Sequence, residues 1–191
     1  MRKGEKTKQF VIEKTSLLLN QRGYLSTSLA EVTEATGLQK GGLYNHFRDK
    51  EDLMIESFKY NCTLINERME PAIASASTTA GKLNAFVEIY LDLDFPGGCP
   101  IANAAVEAEA VSPPLFQHAQ EAMERLLDLL VDIINTGMNQ GEFRADANPR
   151  DTAIVILSLI EGGLLMNKLL PFSPLQMIKD QVTRYVDEAL K

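Results

Sequence analysis

Apolar residues recur at helical spacing along almost the whole chain, and no stretch alternates apolar and polar residues long enough to make a strand. The pattern predicts an all-α fold of about nine helices. Phe10 with Leu17 and Val11 with Leu18 repeat seven apart on one side of a first helix over 6–22, which Gly23 stops. Ser28 with Glu31 three residues later forms a capping box that opens a second, short helix ending at Gly37. Gly37, Leu38 and Gln39 make a tight turn, and a third short helix covers 39–45. Two short helices about a glycine-containing turn are the spacing of a helix-turn-helix. Leu29, Val32, Leu38, Leu43, Phe47 and Leu53 are spaced so that these helices bury one common centre.

Asp49, with Glu51 and Asp52 behind it, caps a long helix in which Met54, Phe58, Ile65 and Met69 keep one apolar face until Pro71. The Ser/Thr/Ala-rich stretch 74–81 reads as a linker, and 82–93 as a helix interrupted by Pro96-Gly97-Gly98-Cys99-Pro100. Further helices are predicted over 101–110, over 113–139 with Gly141 as its stop, from an Asn148 cap with Pro149 at the first position to about residue 170, and over 175–190. The organisation predicted is an N-terminal three-helix domain, 1–50, followed by a larger helical domain, 51–191.

Charge sharpens this division. The 191 residues carry a net charge of −7, which by itself disfavours nucleic acid as a partner. Residues 1–50, however, hold nine Lys and Arg against five acids, a net of +4, so 51–191 carries −11. A basic head on an acidic body is the asymmetry expected when only the head meets phosphate. Cys62 and Cys99 are the only cysteines and belong to no metal-spaced cluster, so neither a disulfide framework nor a zinc site is expected, and a reducing cytoplasm fits. The basic N-terminus lacks a following apolar run and cleavage site, so export is not indicated. The longest apolar stretch, 153–160 with Ser158 inside it, meets Glu161 well short of a membrane span, which takes roughly 18 apolar residues. A soluble protein without membrane contact is expected.

The segment Tyr24-Leu25-Ser26-Thr27-Ser28-Leu29, then Glu31-Val32-Thr33, then Gly37 through Leu53 with Gly41-Gly42-Leu43-Tyr44-Asn45-His46-Phe47-Arg48-Asp49-Lys50-Glu51-Asp52-Leu53, resembles the DNA-binding domain of the TetR family of repressors. The match covers about residues 8–55 and every fixed position of the family pattern from Leu43 to Leu53. In a helix-turn-helix the third helix lies in the major groove with its N-terminal residues on base edges. Gln39 and Lys40 stand there, Gln suited to adenine and Lys to guanine acceptors. The absent side chains of Gly41 and Gly42 let the backbone approach DNA closely, while Tyr44, Asn45, His46 and Lys50, with Thr27 and Ser28 at the second helix, are candidate DNA contacts, mostly to phosphate. Lys6, Lys8 and Arg22 are weaker candidates, more readily read as solvated charges. Relatives often carry Ser or Thr where this chain has Gln39.

The resemblance implies a body that makes a homodimer and encloses a small-molecule effector pocket, so that effector binding releases palindromic operator DNA. For the dimer, 153–170 with Gly162-Gly163 and the last helix with Met177, Ile178, Val182, Tyr185, Val186 and Leu190 are the segments suited to an intersubunit four-helix bundle, intrachain core being the alternative. For the pocket, Phe58, Cys62, Phe86, Tyr90, Phe95, Asn103, Glu107, Met123 and Met166 combine aromatic, sulfur and polar surface. Cys99 at a helix N-terminus opens an alternative, a thiol sensor of electrophiles or oxidants. Activation rather than repression is equally open. An enzyme has little support: His46 and His118 are the only histidines, and no catalytic triad order, metal spacing or phosphate loop is present, so no cofactor is expected.

Overall fold

Nine α-helices and no strand are present among the described residues, 2–92 and 95–191, of the computed structural model. They are α1 (Lys3–Arg22), α2 (Leu29–Thr36), α3 (Lys40–Tyr44), α4 (Lys50–Ser75), α5 (Thr79–Leu91), α6 (Pro100–Ala108), α7 (Pro113–Asn139), α8 (Pro149–Leu169) and α9 (Leu175–Leu190). The all-α fold read from periodicity is therefore observed. The described residues group into two compact units, one within 2–64 and 95–122, the other within 65–92 and 123–191.

The first unit is built on α1 to α3. α1 begins three residues earlier than its apolar pattern, because the Glu5 carboxylate accepts the Arg2 N–H at 2.7 Å and so satisfies a free donor of the first turn. Gly23 ends it at φ 104°, and α2 follows its Ser28 cap and stops at Gly37, φ 69°. Val11, Ile12, Val32, Leu43, Phe47 and Leu53 form one buried cluster, with Leu29, Leu38 and Tyr60 packed on its rim. α2 and α3, of eight and five residues, are too short to persist alone, so this cluster is what keeps them helical. α4 joins through Lys8, whose ammonium lies 3.0 Å from Glu56 and 5.5 Å from the Phe47 ring centroid. Burial pushes the Glu56 carboxyl up, but the Lys8 and Lys59 charges outweigh it and leave it below its ordinary value.

A second layer of the same unit is polar and buried. The Asn61 amide donates to the Ser16 carbonyl at 2.9 Å and to the Tyr24 hydroxyl at 2.8 Å, and Thr15 meets Ser57 at 3.2 Å. The Tyr24 ring meets Phe58 edge-on at 6.1 Å, and burial pushes its phenol far above the ordinary range, so it stays neutral. Gly97, φ 90°, lies so close to α1 that a β-carbon there would collide with the Asn20 carbonyl.

In the second unit α5, α8 and α9 pack together. Phe86 and Tyr90 stack at 5.7 Å, Val182, Val186 and Leu190 are buried, and Gly163 lets the Ile178 side chain of α9 lie against α8. Val182, Val186 and Leu190, named above for an intersubunit bundle, are therefore engaged inside their own unit. Two other expectations are corrected. Pro71 lies inside α4, which continues a further turn to Ser75 because buried Ile65 and Met69 hold it despite the lost N–H. The linker shrinks to 76–78, because Thr78 caps α5 by accepting the Gly81 N–H at 3.0 Å and Glu142 accepts from Thr79 at 2.8 Å. The end of that helix predicted at Leu93 lies outside the described residues. By length and composition alone α8 would be long and apolar enough to cross a membrane, a test that a core helix passes equally, and α8 packs against α5 and α9.

The Gly97 geometry yields a test. Gly97→Ala combines a strained backbone with a collision on α1 and is expected to lower unfolding free energy by about 2 kcal/mol or more, read as a fall in urea midpoint.

Candidate nucleic-acid interface

The exposed side of the head is made by the start and one face of α3. Gln39 stands at the N-cap in an extended conformation (ψ 155°) and its side chain caps nothing, so its amide remains at the surface. Lys40 opens the helix, exposed, with its ammonium 5.9 Å from the Tyr44 ring centroid. Tyr44 is 43% exposed although the rest of the apolar surface of α3, Leu43 above all, is buried. A β-carbon on Gly41 would meet nothing within 4 Å, so the fold itself places no demand for glycine there. Gln39, Lys40, Gly41, Tyr44 and Asn45 are thus exposed together: two side chains with the donors and acceptors to pair with base edges, a backbone open to close approach, and a phenol and an amide able to bond phosphate.

The remaining DNA candidates are placed differently. Thr27 is buried and its hydroxyl donates to the Gly23 carbonyl at 2.7 Å. Ser28 is exposed but engaged in the α2 cap: its hydroxyl accepts the Glu31 N–H at 3.3 Å and donates to the Glu31 carboxylate at 2.8 Å. The half-buried His46 lies beside Gly4 at the start of α1. Lys50 donates to the Leu25 carbonyl at 2.8 Å, a bond within the head. Arg22 pairs with Glu31 at 2.6 Å and Lys8 with Glu56, so these two cations have carboxylate partners already.

The pocket candidates do not all fall together. Phe58, Cys62, Phe95, Cys99, Asn103 and Glu107 belong to the first unit, and Phe86, Tyr90, Met123 and Met166 to the second. Phe58, Phe86, Tyr90 and Phe95 are buried, Cys62 and Met123 half-buried, and Met166 is 39% exposed. The Tyr90 hydroxyl donates to Glu161 at 3.3 Å. Cys99 caps α6, its sulfur accepting the Ala102 N–H at 3.5 Å, and is buried. Asn103 donates to the Gly97 carbonyl at 2.9 Å and to the Asn20 side chain at 3.1 Å, while Glu107 accepts the N–H groups of Tyr24 and Leu25 at 3.2 and 3.0 Å. These last two residues reach the head rather than a cavity. Nothing local in the sequence signals it, because some 80 residues separate the partners.

A buried three-helix core that presents one short polar helix defines a helix-turn-helix DNA-binding transcriptional regulator. Residues 11–56 match the family described as bacterial regulatory proteins, tetR family, and residues 80–173 match the tetracyclin repressor-like C-terminal domain. The chain belongs to the TetR family. It is similar to a TetR-family transcriptional regulator of Cytophaga hutchinsonii, 29% identical, covering 100% of this chain and 98% of that one with a TM-score of 0.94. A TetR regulator of Chloroflexus aurantiacus gives 29% identity, the same coverages and a TM-score of 0.93. The HTH-type transcriptional repressor DhaR of a Mycobacterium species is 27% identical over 166 residues, 85% of this chain and 82% of the relative.

The α2 cap has a pH signature. The Glu31 carboxyl is held at about 2, below its ordinary 4.5, by the Ser28 N–H first, then the Ser28 hydroxyl and the Arg22 guanidinium. A carboxyl depressed in the folded state stabilises above its unfolded value and loses that contribution as pH falls through the folded one. Head stability is therefore expected to fall as pH drops from 4.5 toward about 2, and Ser28→Ala, costing about 1 kcal/mol at neutral pH, to flatten that decline in circular-dichroism melts.

Proposed function

We propose that this regulator is a repressor that binds a palindromic operator as a homodimer and is released when a small molecule binds the body, 51–191. The reading is carried by the exposed α3 surface of Gln39, Lys40, Gly41, Tyr44 and Asn45 in a head, 1–50, in which Lys8, Arg22, Arg48 and Lys50 are engaged within the protein. Thr27, Ser28, His46 and Lys50 then support the contact surface more than they form it. The related repressor DhaR supports repression over activation. The protein acts by binding rather than by catalysis, without cofactor or membrane, in the cytoplasm.

The dimer is supported by α8 and its C-terminal turn, where Leu165, Leu169 and Phe172 are 53%, 68% and 63% exposed, and by Met177 of α9 at 57%. Gly162 is exposed, with nothing within 4 Å of a β-carbon built there, so a partner helix can approach its backbone. An apolar surface of this kind marks an association site. The effector class is a compact molecule with apolar and polar parts, for which Phe58, Cys62, Phe95 and Cys99 of the first unit, or Phe86, Tyr90, Met123 and Met166 of the second, are the remaining candidates. The thiol-sensor alternative gains less support, since Cys99 is only 6% exposed.

Selection of bound duplexes from random DNA is expected to return a palindrome. Lys40→Ala should weaken binding to that duplex about tenfold and relax preference at one position per half-site, whereas Tyr44→Phe should weaken all duplexes by a smaller, uniform factor. Recovery of no enriched sequence contradicts the proposal. Leu165→Glu with Leu169→Glu is expected to halve the mass seen in sedimentation and to abolish operator binding; an unchanged mass contradicts the assigned interface.

A further inference from the structure

The turn between α1 and α2 is the only covalent route from α1 into the helix-turn-helix, and its backbone is gripped from two sides. Past Gly23 the N–H groups of Tyr24 and Leu25 have left the α1 ladder, and both are accepted by one carboxylate, that of Glu107 on α6, at 3.2 and 3.0 Å. The carbonyl of Leu25 accepts the Lys50 ammonium at 2.8 Å. One residue, Leu25, is thus tied through its N–H to α6 and through its carbonyl to α4.

Gly23 fits this grip in two ways. Its φ of 104° favours glycine, and a β-carbon there would stand 2.9 Å from a Glu107 carboxylate oxygen. The end of α1 is fastened to the same region a second time: the Asn20 amide donates to the carbonyls of Pro96 and Gly98, both at 2.8 Å, and Asn103 of α6 donates back to Asn20. Thr27, whose hydroxyl returns to Gly23, and the Ser28 cap then carry the constraint directly into α2.

We propose that Glu107 is a positioning residue for DNA binding, its carboxylate fastening the α1–α2 turn to α6 and thereby fixing where α2 and α3 stand when the head meets a duplex. A part-buried carboxylate on two adjacent backbone donors is a strong, directional tie, and a displacement of α6 is transmitted through it to the turn. This rests on the DNA-binding reading of the head and adds the residue through which a neighbouring helix governs it.

The test uses the full chain, the duplex that the wild type selects from random DNA, and a scrambled duplex of equal length at low salt. In Glu107→Ala the selected duplex is expected to bind about tenfold more weakly, the scrambled duplex to bind as before, and amide hydrogen exchange at Tyr24 and Leu25 to accelerate. Glu107→Gln, which keeps one acceptor oxygen, should recover part of both, and it carries the test if the alanine variant does not fold. Unchanged exchange at Tyr24 and Leu25, an unchanged ratio between the two duplexes, or an equal loss on both overturns the proposal. A wild type that selects no duplex defeats the regulator reading instead, while the exchange measurement still decides whether Glu107 holds the turn.

Discussion

Burial of a small shared core is the constraint on which the head depends. An eight-residue helix and a five-residue helix gain too few internal hydrogen bonds to offset the entropy of ordering them. Val32 and Leu43 give each of them one fully buried anchor against Val11, Ile12, Phe47 and Leu53. Leu43 is the buried anchor of α3, and around it Lys40, Gly41, Tyr44 and the following Asn45 stay exposed. Exposure of the recognition surface is thus a consequence of where the core lies. A regulator needs this arrangement, since a reading helix held only by DNA would lose affinity to its own ordering.

Electrostatics acts on the same surface by subtraction. Three basic residues that bridge elements of the head already have partners: Lys8 with Glu56, Arg22 with Glu31, and Lys50 with the Leu25 carbonyl. These pairs hold α1, α2 and α4 to one another, and they leave Lys40 as an exposed cation directly on the reading helix. The acidic charge of the rest of the chain lies outside residues 1–50, so the field that a duplex meets is set locally by the head rather than by the total of −7.

Features written over a few adjacent residues were legible in the sequence. The Ser28 and Glu31 cap, the Gly37 stop, the Asn148-Pro149 start and the span of α9 all follow from local backbone chemistry, and each is present in the structure. What misled was also local. Pro71 reads as a stop, yet tertiary burial of Ile65 and Met69 carries α4 past it. The Ser/Thr/Ala stretch reads as a linker because the group that completes its helix start is Glu142, more than 60 residues away. On the candidate interface, residue type nominated Gln39, Lys40 and Tyr44, which the fold leaves exposed, whereas only the fold reveals that Thr27 is buried and Lys50 engaged. Asn103 and Glu107 have the chemistry of a ligand site, and their ties to Asn20, Tyr24 and Leu25 are invisible to any local pattern.

As a regulator of this kind, the protein is expected to place α3 in the major groove. Guanine N7, which lies in that groove, is methylated by dimethyl sulfate unless covered, so protection within a bound duplex reports groove occupancy directly. Two protected windows are expected on one face of the duplex, their centres about 34 Å or a multiple of it apart, both lost in a Leu43→Asp head. Protection confined to the minor groove, or methylation unchanged in a duplex that the protein demonstrably binds, would contradict it.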